Sequence, residues 1–174
     1  HLLKVVKKFN ESILTVFGGI HAYADAEGSI KEGPIDAVCV GEGEEVILDV
    51  IECLEAGKDV KGIKNVLTSS DDVLVKRLLN NNMDNIPFMD RELVYSYPEM
   101  ARFGIKGIWT SRGCVFPCPY CFNNRQNRLF KKAGKVFRRR SVDSVIEETK
   151  KLISEYRVEM LRFQDDVFVY KVDD

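Results

Sequence analysis

Histidine is nearly missing from this chain of 174 residues, occurring only at His1 and His21. A histidine-rich metal site is therefore excluded, and any metal is held mainly by sulfur. No apolar run approaches the ~18 residues that a membrane-spanning helix needs. The opening stretch, HLLKVVKKFNESILTVF, is too charged for a secretory leader and offers no small-residue cleavage site. These absences give the expectation of a cytoplasmic protein. An initiating methionine is also absent, so an internal segment of a longer polypeptide is expected. Neither charge is in excess: Lys+Arg number 26 and Asp+Glu 27, for a net charge of −1. That balance argues against a nucleic-acid coat or a polybasic membrane anchor. What remains is 45% hydrophobic and 30% charged, enough to bury a core in one domain or two small ones.

The chain reads as α/β. Ile13–Phe17 is a short β-rich run ending at Gly18-Gly19, and Asp36–Val40 is a second one ending at Gly41. Glu44–Ala56 reads as a helix, with Ile47, Val50, Ile51 and Leu54 on one face and acids in its first turn. Asn65–Thr68 and Val73–Lys76 look like strands around a turn at Ser69–Asp72. The polar stretch NNNMDNIPFMD then reads as a linker between two lobes. Gly107–Ser111 is a strand running into a cysteine-rich loop. Ser141–Tyr156 is the strongest helix, its stripe made of Val142, Val145, Ile146, Thr149, Leu152, Ile153 and Tyr156, with Ser141 or Ser144 as the cap. Met160–Gln164 is a further strand, ending at Asp165-Asp166. Strand, loop, helix, strand is a βαβ unit, whose chemistry belongs at the carboxyl ends of its strands.

Five cysteines, an odd number without a leader, do not make a disulfide framework. Cys39 and Cys53 fall on a strand and a helix and read as core. Cys114, Cys118 and Cys121 form C-x3-C-x2-C. Thiolates select zinc or iron–sulfur clusters. Structural zinc wants four closed ligands, and no fourth Cys or His is nearby. Three thiolates suit a 4Fe–4S cluster with one iron left open; zinc with a remote ligand is the alternative.

The run SRGCVFPCPYC, following a strand and with an aromatic before its last cysteine, resembles the cluster loop of the radical SAM superfamily. The resemblance implies that Cys114, Cys118 and Cys121 ligate three irons, and that S-adenosylmethionine chelates the fourth. It sets Tyr120 beside the adenine, and Asp165 and Asp166, in RFQDDVF, near the methionyl ammonium. VFGGIHA, then DAVCVGEGEEVILDVI, then IPFMDRELV follow the order of the cobalamin-binding-domain branch. On that likeness Gly18 and Gly19 make room for the corrinoid nucleotide tail, and His21 is a candidate for the same crevice. Gly41 and Glu42 open the GEGE turn, with Gly43 and Glu44. The fold implied is the C-terminal part of a Rossmann-like cobalamin-binding domain (residues 1–57), a linker (58–100) and the first units of a (β/α) barrel (101–174).

The implied activity is reductive cleavage of S-adenosylmethionine, giving methionine and a 5′-deoxyadenosyl radical that starts methyl transfer or oxidative cyclisation. A small-molecule substrate and an external electron donor of the flavodoxin or ferredoxin type go with it. The Asp-x-His-x-x-Gly motif that supplies a cobalt ligand in many relatives of the branch is absent, so cobalamin stays open. Arg125–Arg140 contains eight Lys and Arg and no acid. It reads as a solvated loop or as a surface for an anionic substrate or RNA, and a tRNA-type methylthiotransferase is a further reading. A zinc module that recruits a partner and a plain electron-transfer protein remain as alternatives from other classes.

Overall fold

A computed structural model describes residues 2–169. His1 and Tyr170–Asp174, the end of the expected barrel segment, lie outside the described residues. In chain order the elements are α1 (Leu2–Phe9), β1 (Val16–Phe17), α2 (Ile20–Glu32), β2 (Ala37–Cys39), α3 (Glu44–Glu55), β3 (Val66–Leu67), a 3-10 turn (Met83–Asn85), α4 (Glu92–Tyr95), α5 (Pro98–Arg102), β4 (Ile105–Ile108), β5 (Ser111–Arg112), α6 (Phe122–Phe130), β6 (Arg138–Arg139), α7 (Val142–Glu155) and β7 (Met160–Phe163). They divide into two units, His1–Leu79 with Pro117–Ala133, and Asn80–Phe116 with Gly134–Asp174.

The first unit is built on a three-stranded sheet, β1-β2-β3. β1 and β2 are parallel, Val16 opposite Ala37 and Phe17 opposite Val38, and β3 closes the other edge antiparallel. Ala37, Cys39, Val46, Val50, Val60 and Val66 form the core, with Leu14, Val16, Cys53 and Ile63 packed against it. Cys39 and Cys53 are thus core residues, as their positions suggested.

Charged and polar groups tie the connections down. Asp36 accepts from the Thr15 amide at 2.7 Å and its hydroxyl at 2.8 Å, and pairs with Lys7 at 2.6 Å. Asn65 turns the chain at φ 66°, a left-handed conformation that Asn tolerates. Its carbonyl accepts from Val40 and its amide donates to Val75, both at 2.8 Å, so residues 73–76 are held by bonds of this kind and not as a strand.

Two helices here run through segments that showed no clear pattern. α2 occupies the stretch with Gly28, and non-helical Asp25 interrupts it, which breaks the 3.6-residue repeat. α6 covers part of the basic segment read as loop; it buries Asn123, Asn124 and Gln126, amides that hydropathy reads as solvent-facing. In α3 the inward stripe is Val46 and Val50, while Ile47, Ile51 and Leu54 are exposed.

The second unit contains the βαβ element. β4 and β7 are parallel in register, Ile105 opposite Met160 through Ile108 opposite Phe163, with α7 between them in the chain. β5 and β6 pair antiparallel. Ser141 caps α7, its side chain accepting from the Ser144 amide, and its own amide donates to Asp84 at 2.9 Å. The expected α7 stripe is only partly inward: Leu152 is buried, whereas Val142, Ile146 and Ile153 are exposed. Glu148 takes the inward place because Arg91, at 2.7 Å, and Arg140 pair with its two oxygens. The basic segment is therefore not simply solvated. Arg138 is buried and donates to the Asn80 carbonyl at 2.9 Å.

Candidate functional site

β5 delivers the chain to the cysteine loop, and Gly113 makes the turn. Its φ is +83°, and a Cβ there would come within 2.4 Å of the Val136 carbonyl oxygen. Only glycine serves at a position closed both by backbone conformation and by backbone contact. Cys114 follows at once. In this unit the strand end is also held from the other side. Asp165, just past β7, accepts from the Thr110 amide at 2.8 Å and hydroxyl at 3.1 Å, and from the Ser111 amide at 2.5 Å and hydroxyl at 2.7 Å. Asp166 is exposed.

Cys118 and Cys121 belong to the other unit. The Cys121 amide donates to the Cys118 carbonyl at 3.1 Å, closing a turn that leaves Tyr120 90% exposed. Cys121 is then the N-cap of α6 in extended conformation, and no side-chain bond caps the helix. The unpaired amides of a helix start carry partial positive charge, which suits an anionic sulfur ligand.

In that same unit Gly18-Gly19 and Gly41-Glu42 lie at one end of the sheet, past the carboxyl ends of parallel β1 and β2. Gly19 has φ +89° with open space around it. His21, on the first turn of α2, is exposed and meets the Phe17 ring edge-on at 5.9 Å. Gly41 is far more constrained: at φ +127°, a Cβ would stand 2.7 Å from Asn65 Nδ2 and 2.9 Å from Phe130 Cζ.

No protein-family profile matches the chain. A methyltransferase of Pyrococcus horikoshii, described only as uncharacterised, is 35% identical over 173 residues, 95% of this chain and 36% of that protein. Cytidylyl-2-hydroxyethylphosphonate methyltransferase of Streptomyces wedmorensis is 26% identical, matching 99% of this chain and 38% of its own length. The anaerobic magnesium-protoporphyrin IX monomethyl ester cyclase of Cereibacter sphaeroides is also 26% identical, over 94% of this chain and 27% of its own. Two structures of the radical S-adenosylmethionine methyltransferase TsrM from Kitasatospora setae share the fold. One holds tryptophan and an S-adenosylmethionine analogue (TM-score 0.66, 17% identity, 95% of this chain and 32% of TsrM). The other holds cobalamin and a 4Fe–4S cluster (TM-score 0.66, 18% identity, 96% and 33%).

The chain is thus similar to methyltransferases along nearly its whole length, and it shares the fold of a radical S-adenosylmethionine methyltransferase. It spans about a third of the length of the curated relatives it matches.

The donor set of this chain fits an iron–sulfur cluster in kind. Cys114, Cys118 and Cys121 are half-buried and in no disulfide, and the Phe116 amide donates to Cys114 Sγ at 3.4 Å. Cys39 is unsuited, because burial, followed by Glu44, raises its thiol above the usual range against the opposing pull of Arg77. Among the described residues no three His, Cys, Asp or Glu side chains are gathered to hold a metal ion. Past β1 and β2 the space at Gly19 is open, whereas that at Gly41 is closed by Asn65 and Phe130. A cavity of about 560 Å³ in the second unit, walled by Phe88, Arg91, Glu148, Leu152 and Tyr156, includes none of these residues.

Gly113 was already part of the run that carried the resemblance, in the Arg-Gly pair before the first cysteine, whereas Thr110 and Ser111 escaped the sequence reading as parts of the site. The two hydroxyl residues gave no signal, since their role depends on Asp165, more than fifty positions away.

Among the described residues no helix is long and apolar enough to cross a membrane.

Proposed function

We propose that this chain is the cluster-bearing part of a cobalamin-dependent radical SAM enzyme that transfers a methyl group to a small-molecule substrate. What carries the reading is the C-x3-C-x2-C spacing directly after β5, in a chain that matches methyltransferases along nearly its whole length. Residues 1–57 are the closing part of the cobalamin-binding domain, 58–100 the link and 101–174 the start of the barrel.

Cys114, Cys118 and Cys121 hold three irons as thiolates, which leaves one iron for the amino and carboxylate groups of S-adenosylmethionine. When bound, the cluster supplies the electron that cleaves the sulfonium and starts radical chemistry. The exposed Tyr120 ring stacks beside the adenine. Asp166 meets the methionyl ammonium as a charge-assisted partner. Asp165, whose two oxygens already accept four bonds, positions the strand end that leads into the loop. Gly18, Gly19, His21, Gly41 and Glu42 line the corrinoid tail. The enzyme works in the cytoplasm, with an external one-electron donor. A second reading, oxidative cyclisation, is supported by the similarity to the protoporphyrin ester cyclase.

Anaerobic reconstitution of the full-length protein tests this. The expected result is a brown, oxygen-sensitive protein that cleaves S-adenosylmethionine under reducing conditions. One bound zinc without sulfide, or iron without cleavage, contradicts it.

A further inference from the structure

From Met100 to Val142 the chain contains no Asp or Glu, although it has 27 acids in all. The same stretch carries eleven Lys and Arg and encloses the three loop cysteines. Part of that charge gathers on one surface of one unit, the solvent face of α6. Asn123, Gln126 and Phe130, at i, i+3 and i+7, turn inward. Arg125, Arg128 and Lys132, also at i, i+3 and i+7, form the exposed side, with Lys131 exposed beside them. Exposed Lys76 adds a fifth cation at the helix end, its Nζ donating to the Leu129 carbonyl at 2.8 Å. Arg125 is steadied by a bond from Nε to the Tyr23 carbonyl, which anchors the guanidinium without neutralising it. α6 itself contains no acid. The helix starts directly after Cys121 and rises ~1.5 Å per residue, so Arg128 lies about 10 Å along the axis from that cysteine.

We infer that the basic face of α6 is the docking surface for an acidic one-electron carrier protein of the flavodoxin or ferredoxin class. The inference rests on the cluster reading above and names the partner of that same site. Charge complementarity is what favours this occupant. A small patch of cations on a protein of net charge −1 steers an acidic protein into one orientation and releases it again, as turnover requires. Redox encounters of this kind use small contact areas. An extended single-stranded nucleic acid would need a longer basic track with aromatic platforms, and the two aromatic rings of α6 are Phe122, half-buried, and Phe130, buried. In each encounter the carrier is oxidised by one electron, the cluster core passes from 2+ to 1+, and no proton or other atom is exchanged.

The test uses the full-length protein, with and without its cluster, and an acidic flavodoxin as the probe. Affinity is measured by titration calorimetry at low and high salt, for wild type and for Arg128→Glu/Lys131→Glu/Lys132→Glu. These positions are exposed, and circular dichroism confirms that the variant is folded. The expected result is at least a tenfold loss of affinity on charge reversal, and a wild-type affinity that falls with salt. Cluster reduction by reduced flavodoxin slows in parallel, while reduction by photoreduced deazaflavin, which needs no docking, is unchanged. Equal affinities and equal rates in a protein that holds its cluster overturn the docking inference alone. Loss of binding to a structured RNA with flavodoxin binding intact also overturns it. A protein that holds no iron and sulfide overturns the cluster reading first, and this inference with it.

Discussion

The carboxylate of Asp165 accepts from Ser111 twice, from its amide at 2.5 Å and from its hydroxyl at 2.7 Å. Asp165, two residues past the end of β7, is thereby stitched to the start of β5, three residues before the first loop cysteine. The neighbouring Asp166 is exposed. Two adjacent acids therefore have separable roles. Asp165→Ala strands two amides and two hydroxyls and is expected to cost about 2–3 kcal/mol in urea denaturation. Asp166→Asn is expected to leave stability within about 0.5 kcal/mol and to weaken S-adenosylmethionine binding roughly tenfold or more. Equal stability losses for the two would contradict this division.

Gly41 and Gly43 flank Glu42 in one turn yet differ physically. Gly41 combines a left-handed φ with Asn65 and Phe130 closing on its α-carbon, whereas nothing lies within 4 Å of a Cβ at Gly43, which has φ −94°. Gly41→Ala is expected to destabilise by about 2–4 kcal/mol and Gly43→Ala by less than about 1 kcal/mol. Thermal unfolding of the two variants reads the difference.

Glu148 is the only carboxylate between Arg91 and Arg140 in the described ion pairs, and its side chain is 6% exposed. Glu148→Ala leaves Arg91 buried without its counter-charge. The expected loss is about 3–5 kcal/mol by urea denaturation. Substituting Ile146, exposed on the same helix, by Ser is expected to change little.

Asp36 carries the pH prediction. Burial pushes its carboxyl up, but the Lys7 ammonium and the two Thr15 donors outweigh that, so its pKa lies below the ordinary 3.8. A lowered value in the folded state means a stabilising contribution that is complete above the unfolded value. It is lost as pH falls from there through the folded one. Asp36→Asn is expected to cost about 1 kcal/mol at pH 7 and to flatten the loss of stability below about pH 4. An unchanged acid limb in the variant would contradict the assignment.

The elements that could be read from the amino acids alone are those whose pattern is local. Val142–Glu155, with its serine cap, and β7 after it follow from periodicity and capping, whereas the single strand expected at Gly107–Ser111 is two, β4 (Ile105–Ile108) and the antiparallel β5 (Ser111–Arg112). Glu44–Glu55 also follows, though periodicity did not say which half of its wide apolar stripe faces the core, and Val46 was missed. α2 was hidden by its break at Asp25, and α6 by buried amides that look solvent-facing in composition. The cysteine loop was legible because ligand spacing is a one-dimensional signal. The Asp165–Ser111 and Arg91–Glu148–Arg140 contacts were not, since each joins residues that only folding brings together.

The central claim is that three cysteines hold a cluster whose remaining iron is free for S-adenosylmethionine. Mössbauer spectroscopy of the full-length protein, reconstituted with enriched iron, tests it most directly. Adding S-adenosylmethionine is predicted to change the isomer shift of one unique iron site and leave the others unmoved. A spectrum in which every iron is already thiolate-ligated, and which S-adenosylmethionine does not alter, would contradict the account.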